Sequence, residues 1–156
     1  MKLSTKSRYG VRALFDMAYH AGTLPVQIKD ISRRQQISPR YLEQIFQDLK
    51  KAGLLKSRRG PQGGYFLSRK PEEITAKEII LAAEGDLSLV NCIREGQKDC
   101  QAGCEFDNVC VTQQLWQEAT RLLHEYFGSV TLKDLCDRGK ELGLEKELDH
   151  RFMYFI

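Results

Sequence analysis

The stretch SPRYLEQIFQDLKKAGLLKSRRGPQGGYFL, Ser38 to Leu67, constrains the fold more than any other part of the chain. Ser38 is a strong N-cap, and Pro39 falls at the first helical position, where its missing N–H costs nothing. Leu42, Ile45, Phe46 and Leu49 recur at i, i+3, i+4 and i+7, which predicts an amphipathic helix with one buried stripe. Gly53 is placed to end it as a C′ residue. The opposite face carries Arg40, Tyr41, Glu43, Gln44, Gln47 and Asp48. Leu54, Leu55 and Lys56 then enter a strand, RRGPQGG forms a tight tip, and Tyr65, Phe66 and Leu67 return. The tip lacks GK[ST] and the Walker spacing, so it is no nucleotide cradle.

Two further helices precede this unit. Tyr9, Ala13, Leu14, Met17, Ala18 and Ala21 are spaced for a helix from Arg8 to about Ala21, stopped by Gly22. After Leu24–Pro25, Ile28, Ile31 and Ile37 share one face of a short second helix. Two helices joined by a tight turn, followed by a basic hairpin, are the parts of a winged helix-turn-helix. The fold class expected is therefore mostly α with a small β wing, plus the long helix described below.

Charge supports this reading. Residues 1–70 hold fifteen Lys/Arg against four Asp/Glu, a net of +11, whereas the remainder holds nine against seventeen, a net of −8. Such a split between halves suggests that the first half meets a polyanion. Lys6, Arg8, Arg33 and Arg34 suit phosphates. On the third helix, beside Ser38 and Tyr41, Gln44 can pair bidentately with adenine and Arg40 can reach guanine or phosphate. Glu43 is either a discriminator that accepts from a cytosine amino group or a solvent-exposed bystander. Arg58 or Arg59, at the wing tip, suits a narrow A·T-rich minor groove. The partner expected is double-stranded DNA.

Beyond the wing, Thr75 caps a short helix bearing Ile79, Ile80 and Ala83 and ending at Gly85. A long helix follows within VTQQLWQEATRLLHEYFGSV. Leu115, Ala119, Leu122 and Tyr126 line one face, and Trp116, Leu123 and Phe127 an adjacent one, an apolar arc wide enough for burial on two sides. A homodimer packed through this helix satisfies it and sets two recognition helices about 34 Å apart, one turn of DNA. TLKDLCDRGKELG predicts a short final helix in which Cys136 is an ordinary core thiol. The closing LEKELDHRFMYFI either covers a dimer surface or stays mobile. The expected division is 1–85 for DNA binding, 86–110 for a cysteine-rich sensor loop, 111–143 for dimerisation helices and 144–156 for a tail.

Between the two halves lies CIREGQKDCQAGCEFDNVC, with four of the five cysteines at Cys92, Cys100, Cys104 and Cys110. No apolar run approaches the ~20 residues of a membrane span, and the N-terminus lacks a signal-peptide h-region. The expected compartment is the cytoplasm, where thiols stay reduced, which disfavours disulfides. Zinc sites usually show two C-x2–4-C knuckles, and only Cys100 and Cys104 fit one. An iron–sulfur cluster suits four soft thiolates on one loop. A thiol switch needs only a reactive cysteine and a resolving partner. No Ser/His/Asp or paired-carboxylate arrangement stands out, and His20, His124 and His150 are scattered, so an enzyme with a small-molecule substrate is not expected.

KSRYGVRALFDMA, ISPRYLEQIFQDLKKAGLLKSRRGPQGGYFLSR and a cysteine loop running into CVTQQLW together resemble the iron–sulfur-cluster-regulator (IscR-like) family of bacterial winged-helix transcription factors. The resemblance extends to about Gly143. It implies a homodimer that represses or activates promoters. In many members a 2Fe–2S or 4Fe–4S cluster is held by three cysteines and a variable fourth ligand; others sense metabolites or partner proteins without one. Carried over, Cys92, Cys104 and Cys110 match the three ligands. This chain has Gln113 where several members place a histidine ligand, and Arg8 where others recruit an acidic one. Cys100 is then the proposed fourth ligand.

Overall fold

Ser4 sets the start of the first helix. Its hydroxyl accepts from the Ser7 N–H, so α1 runs Thr5–Ala21, opening earlier than the apolar spacing alone predicts. The computed structural model describes residues 3–93, 106, 109–149 and 151. α2 is Ile28–Gln35 and α3 is Pro39–Lys51, with Ser38 as N-cap and Gly53 in the left-handed conformation just beyond the end. β1 (Leu55–Arg58) pairs antiparallel with β2 (Gly64–Leu67), in the register Leu55↔Leu67 to Arg58↔Gly64.

The expected stripe is the centre of the core. Leu42, Ile45, Phe46 and Leu49 are wholly buried, together with Leu14 and Met17 of α1 and Ile31 of α2. Each such side chain contributes roughly 1.5–3 kcal/mol by leaving water. The wing is anchored through the start of β2. Tyr65 packs edge-on against Phe46 at 5.0 Å, and Val26 and Tyr65 exchange backbone hydrogen bonds of 2.7 and 2.9 Å. Gly64 permits that exchange, because a Cβ there would lie 2.4 Å from the Val26 carbonyl oxygen.

α4 (Ala76–Glu84) begins with a capping box in which Thr75 and Glu78 satisfy each other's backbone N–H groups. α5 is Gln113–Ser129 and α6 is Leu132–Glu141, capped by Thr131. Backbone hydrogen bonds from Ala76 to Val130 and from Leu132 to Ile74 tie the entries of α4 and α6 together. α6 returns to α1, burying Leu132 and Cys136 in the same core as α1–α3. Burial pushes the Cys136 thiol pKa up, in keeping with a packing role. No helix among the described residues is long and apolar enough to cross a membrane.

The C-terminal stretch differs from expectation. Its described residues, 144–149 and 151, lie on α1, α2 and the wing. The Tyr19 hydroxyl donates to the Leu144 carbonyl at 2.6 Å, the Glu147 N–H donates to His20 Nδ1 at 2.9 Å, and Arg151 reaches the wing tip.

Candidate nucleic-acid interface and cysteine segment

α3 owes its outward face to the burial of its other one. With the apolar stripe turned inward, Arg40, Glu43, Gln44 and Gln47 stand exposed, and Ser38 is exposed at the N-terminal end. Tyr41 is half-buried, with its ring edge-on to Tyr9 at 5.9 Å, and Arg12 lies 5.2 Å over the Tyr9 ring. One edge of this face is thus fixed by aromatic packing through Tyr41, while Arg40, Glu43, Gln44 and Gln47 stand clear of the core. Lys6 pairs with Asp48 of α3, and that hydrogen bond holds the Asp48 carboxyl below its ordinary range.

The basic residues divide into two kinds. Arg40, Arg58 and Arg59 are exposed, and Arg58 donates to the Gln62 carbonyl across the tip at 3.3 Å. Arg33 is exposed but pairs with Glu147. Arg34 is placed differently from these, within the helical unit. Its side chain is only 12% exposed and its fork grips Asp16, Nε to Oδ1 at 3.0 Å and Nη2 to Oδ2 at 2.7 Å. Gln35 adds a third donor to Asp16, at 2.8 Å. Asp16 is wholly buried, and a buried carboxylate demands such partners. Arg34 therefore locks α2 onto α1 and positions α3 indirectly. The sequence held a signal for this, since Asp16 stands three residues after Ala13, inside the apolar stripe of α1.

The cysteine segment is described at its two ends. Cys92 lies in a short 3-10 turn, Asn91–Ile93, and is partly buried. Cys110 lies just before α5, with its sulfur 3.4 Å from the Thr112 hydroxyl, and that contact lowers the thiol pKa. Both are free thiols. Cys100 and Cys104 lie outside the described residues, and among the described residues no group of three or more His, Cys, Asp or Glu is placed to hold a metal. As soft donors, a partly buried and a helix-terminal cysteine fit a thiolate-bound cluster. Gln113 opens α5, and its backbone N–H donates to the Cys110 carbonyl at 3.2 Å. Arg8 lies on α1, lining an apolar cleft of about 530 Å³ with Tyr126 and Phe127 of α5.

A capped recognition helix with an outward polar face, followed by a basic two-stranded wing, defines a winged-helix DNA-binding transcriptional regulator. The comparisons narrow that class. The sequence profile of the Rrf2 family, described as an iron-dependent transcriptional regulator, matches residues 3–138, and the chain belongs to that family. It is 42% identical over 135 residues to the HTH-type transcriptional regulator IscR of Aliivibrio salmonicida, covering 86% of this chain and 77% of that protein. Among solved structures it resembles CymR (YrzC), the global cysteine regulator of B. subtilis, with a TM-score of 0.71, 35% identity and coverage of 88% and 98%. It also resembles T. potens IscR, with a TM-score of 0.70, 36% identity and coverage of 99% and 96%.

Proposed function

We propose that this chain is a cytoplasmic, homodimeric regulator whose affinity for promoter DNA is gated by an iron–sulfur cluster on the Cys92–Cys110 segment. The observation that carries the proposal is the placement of two free thiols, Cys92 and Cys110, at the ends of a segment that leads directly into α5. Cys92, Cys104 and Cys110 act as core ligands, with Cys100 as the fourth, in a 2Fe–2S or 4Fe–4S site. Bound there, a cluster would supply a cross-link among these four thiolates. α5 then fixes how two winged units face successive turns of DNA.

Ser38, Arg40, Tyr41, Glu43 and Gln44 form the base-reading set, Arg58 and Arg59 the minor-groove set, and Lys6 and Arg33 the phosphate set. Both ion pairs in the phosphate set are at least partly solvent-exposed, so exchanging a carboxylate for a phosphate costs little. The test is iron and acid-labile sulfide analysis after anaerobic purification, with promoter titration of the loaded and apo forms. Loaded protein should carry visible sulfur-to-iron absorption and bind with a clearly different affinity. Equal affinity in the two forms would sink the gating.

A second reading has its own support. Similarity to a cysteine regulator and the lowered pKa of Cys110 suit a cluster-free thiol or metabolite sensor. A colourless protein that still binds DNA would favour it.

A further inference from the structure

The wing is a short ribbon, and something must hold its tip. Two four-residue strands are marginal by themselves, and Val26 pairs with the strand residue Tyr65 but not with the turn beyond it. Beyond that pairing, at the tip itself, stands Arg151, which is 88 residues from Gly63 in sequence. Its guanidinium donates to the Gly63 carbonyl at 2.8 Å, the Pro61 carbonyl at 3.3 Å and the Pro25 carbonyl at 3.3 Å. Pro61 and Gly63 belong to the tip; Pro25 belongs to the connection between α1 and α2. One planar cation therefore ties the tip to the helical core.

Asp149 orients that cation, accepting from Nε at 2.9 Å and from Nη2 at 2.6 Å. The Arg151 side chain is mostly buried. A guanidinium presents five donors in a rigid fork, so it can face two carboxylate oxygens and several carbonyls at once; a lysine cannot. Because Asp149 balances its charge locally, Arg151 adds little net attraction for phosphate. Its effect is on geometry.

We propose that Arg151, oriented by Asp149, is a positioning residue for DNA binding that fixes the wing tip so that Arg58 and Arg59 are presented to the duplex. This rests on the DNA-binding reading above. The carbonyls it holds flank the tip on both sides of Gln62, whose own carbonyl is taken by Arg58. The arginine that reads the groove and the arginine that fixes the tip therefore act on the same five-residue turn.

The test uses the full chain and a labelled duplex recovered by in-vitro selection with the wild-type protein. Arg151→Ala should lower affinity about tenfold, the scale of losing charge-assisted hydrogen bonds. It should also speed amide exchange at the wing tip while α1 and α3 stay protected. Arg151→Lys should recover only part of the affinity. Asp149→Asn keeps the guanidinium but frees it, and should give a smaller loss of the same kind. Combined with Arg59→Ala, Arg151→Ala should add little further loss, since the tip then has less to present. The slope of affinity against salt should stay unchanged.

A slope shallower by about 0.9 with unaltered tip exchange would make Arg151 a phosphate contact and overturn the proposal. So would wild-type exchange and affinity in Arg151→Ala. Failure of the wild type to select any duplex would instead reject the DNA-binding reading, and the exchange measurement on free protein would still decide whether the clamp exists.

Discussion

α3 and α5 are both amphipathic helices, yet the chain treats them differently. In α3 the four stripe residues are wholly buried, whereas α5 has no buried residue, and Leu115, Leu122 and Tyr126 are 60%, 52% and 65% exposed. Apolar periodicity shows that a face requires a partner, but not whose atoms provide it. α3 finds its partners in α1, α2 and the wing. α5 rests on α4 through one side, with the Leu89 N–H donating to the Thr120 hydroxyl at 3.3 Å, and leaves its wide apolar arc toward solvent. In the proposed homodimer this arc is the face that a second copy would cover.

Truncating one residue on each helix would break or sharpen this contrast. Phe46→Ala removes a buried ring from the core and should cost about 3–5 kcal/mol in unfolding free energy, read by denaturant titration. Leu122→Glu should leave the core's stability within about 0.5 kcal/mol, as exposed substitutions do. It should instead shift sedimentation toward monomer and weaken binding to a two-half-site duplex. If Leu122→Glu unfolds the chain as Phe46→Ala does, α5 is part of the monomer core and the contrast fails.

The next effect in size falls on the outward face of α3. Gln44→Ala should cost about 1–3 kcal/mol on the preferred duplex and relax the preference at a single adenine, measured by competition between single-base variants. A uniform loss across all variants would mean that Gln44 only positions the helix.

How legible all this was depended on the range of the forces involved. Local signals served well: Ser38, Pro39 and Gly53 bounded α3, RRGPQGG turned where expected, and Thr75 capped its helix. Interactions between distant residues were not legible. Arg34 read as a surface cation because its partner, Asp16, is set by the packing of α2 on α1. The tail read as either a dimer cover or a mobile end because Tyr19, His20, Arg33 and the wing tip, which hold it, lie more than 85 residues earlier. The cysteine segment was legible as chemistry, and its ends at Cys92 and Cys110 are described, but Cys100 and Cys104 lie outside the described residues.

The smallest effect concerns the same tail. Burial lowers the His20 pKa from its ordinary value of 6.5, outweighing the pull of Asp16 and Glu147 in the opposite direction, while Arg34 adds to the lowering. The neutral ring suits its role, since Nδ1 accepts from the Glu147 N–H and can do so only without a proton. A basic group with a depressed folded pKa makes its full contribution above its unfolded value and loses it as pH falls toward the folded one. Docking of residues 144–149 should therefore loosen slightly as pH drops below about 6.5. The protection factor of the Glu147 amide, taken relative to the intrinsic exchange rate at each pH, should fall over that range, and His20→Gln, which keeps an acceptor but does not titrate, should flatten the response. A His20 titration by NMR above the ordinary value would reverse the sign and show that the carboxylates, rather than burial, govern the ring.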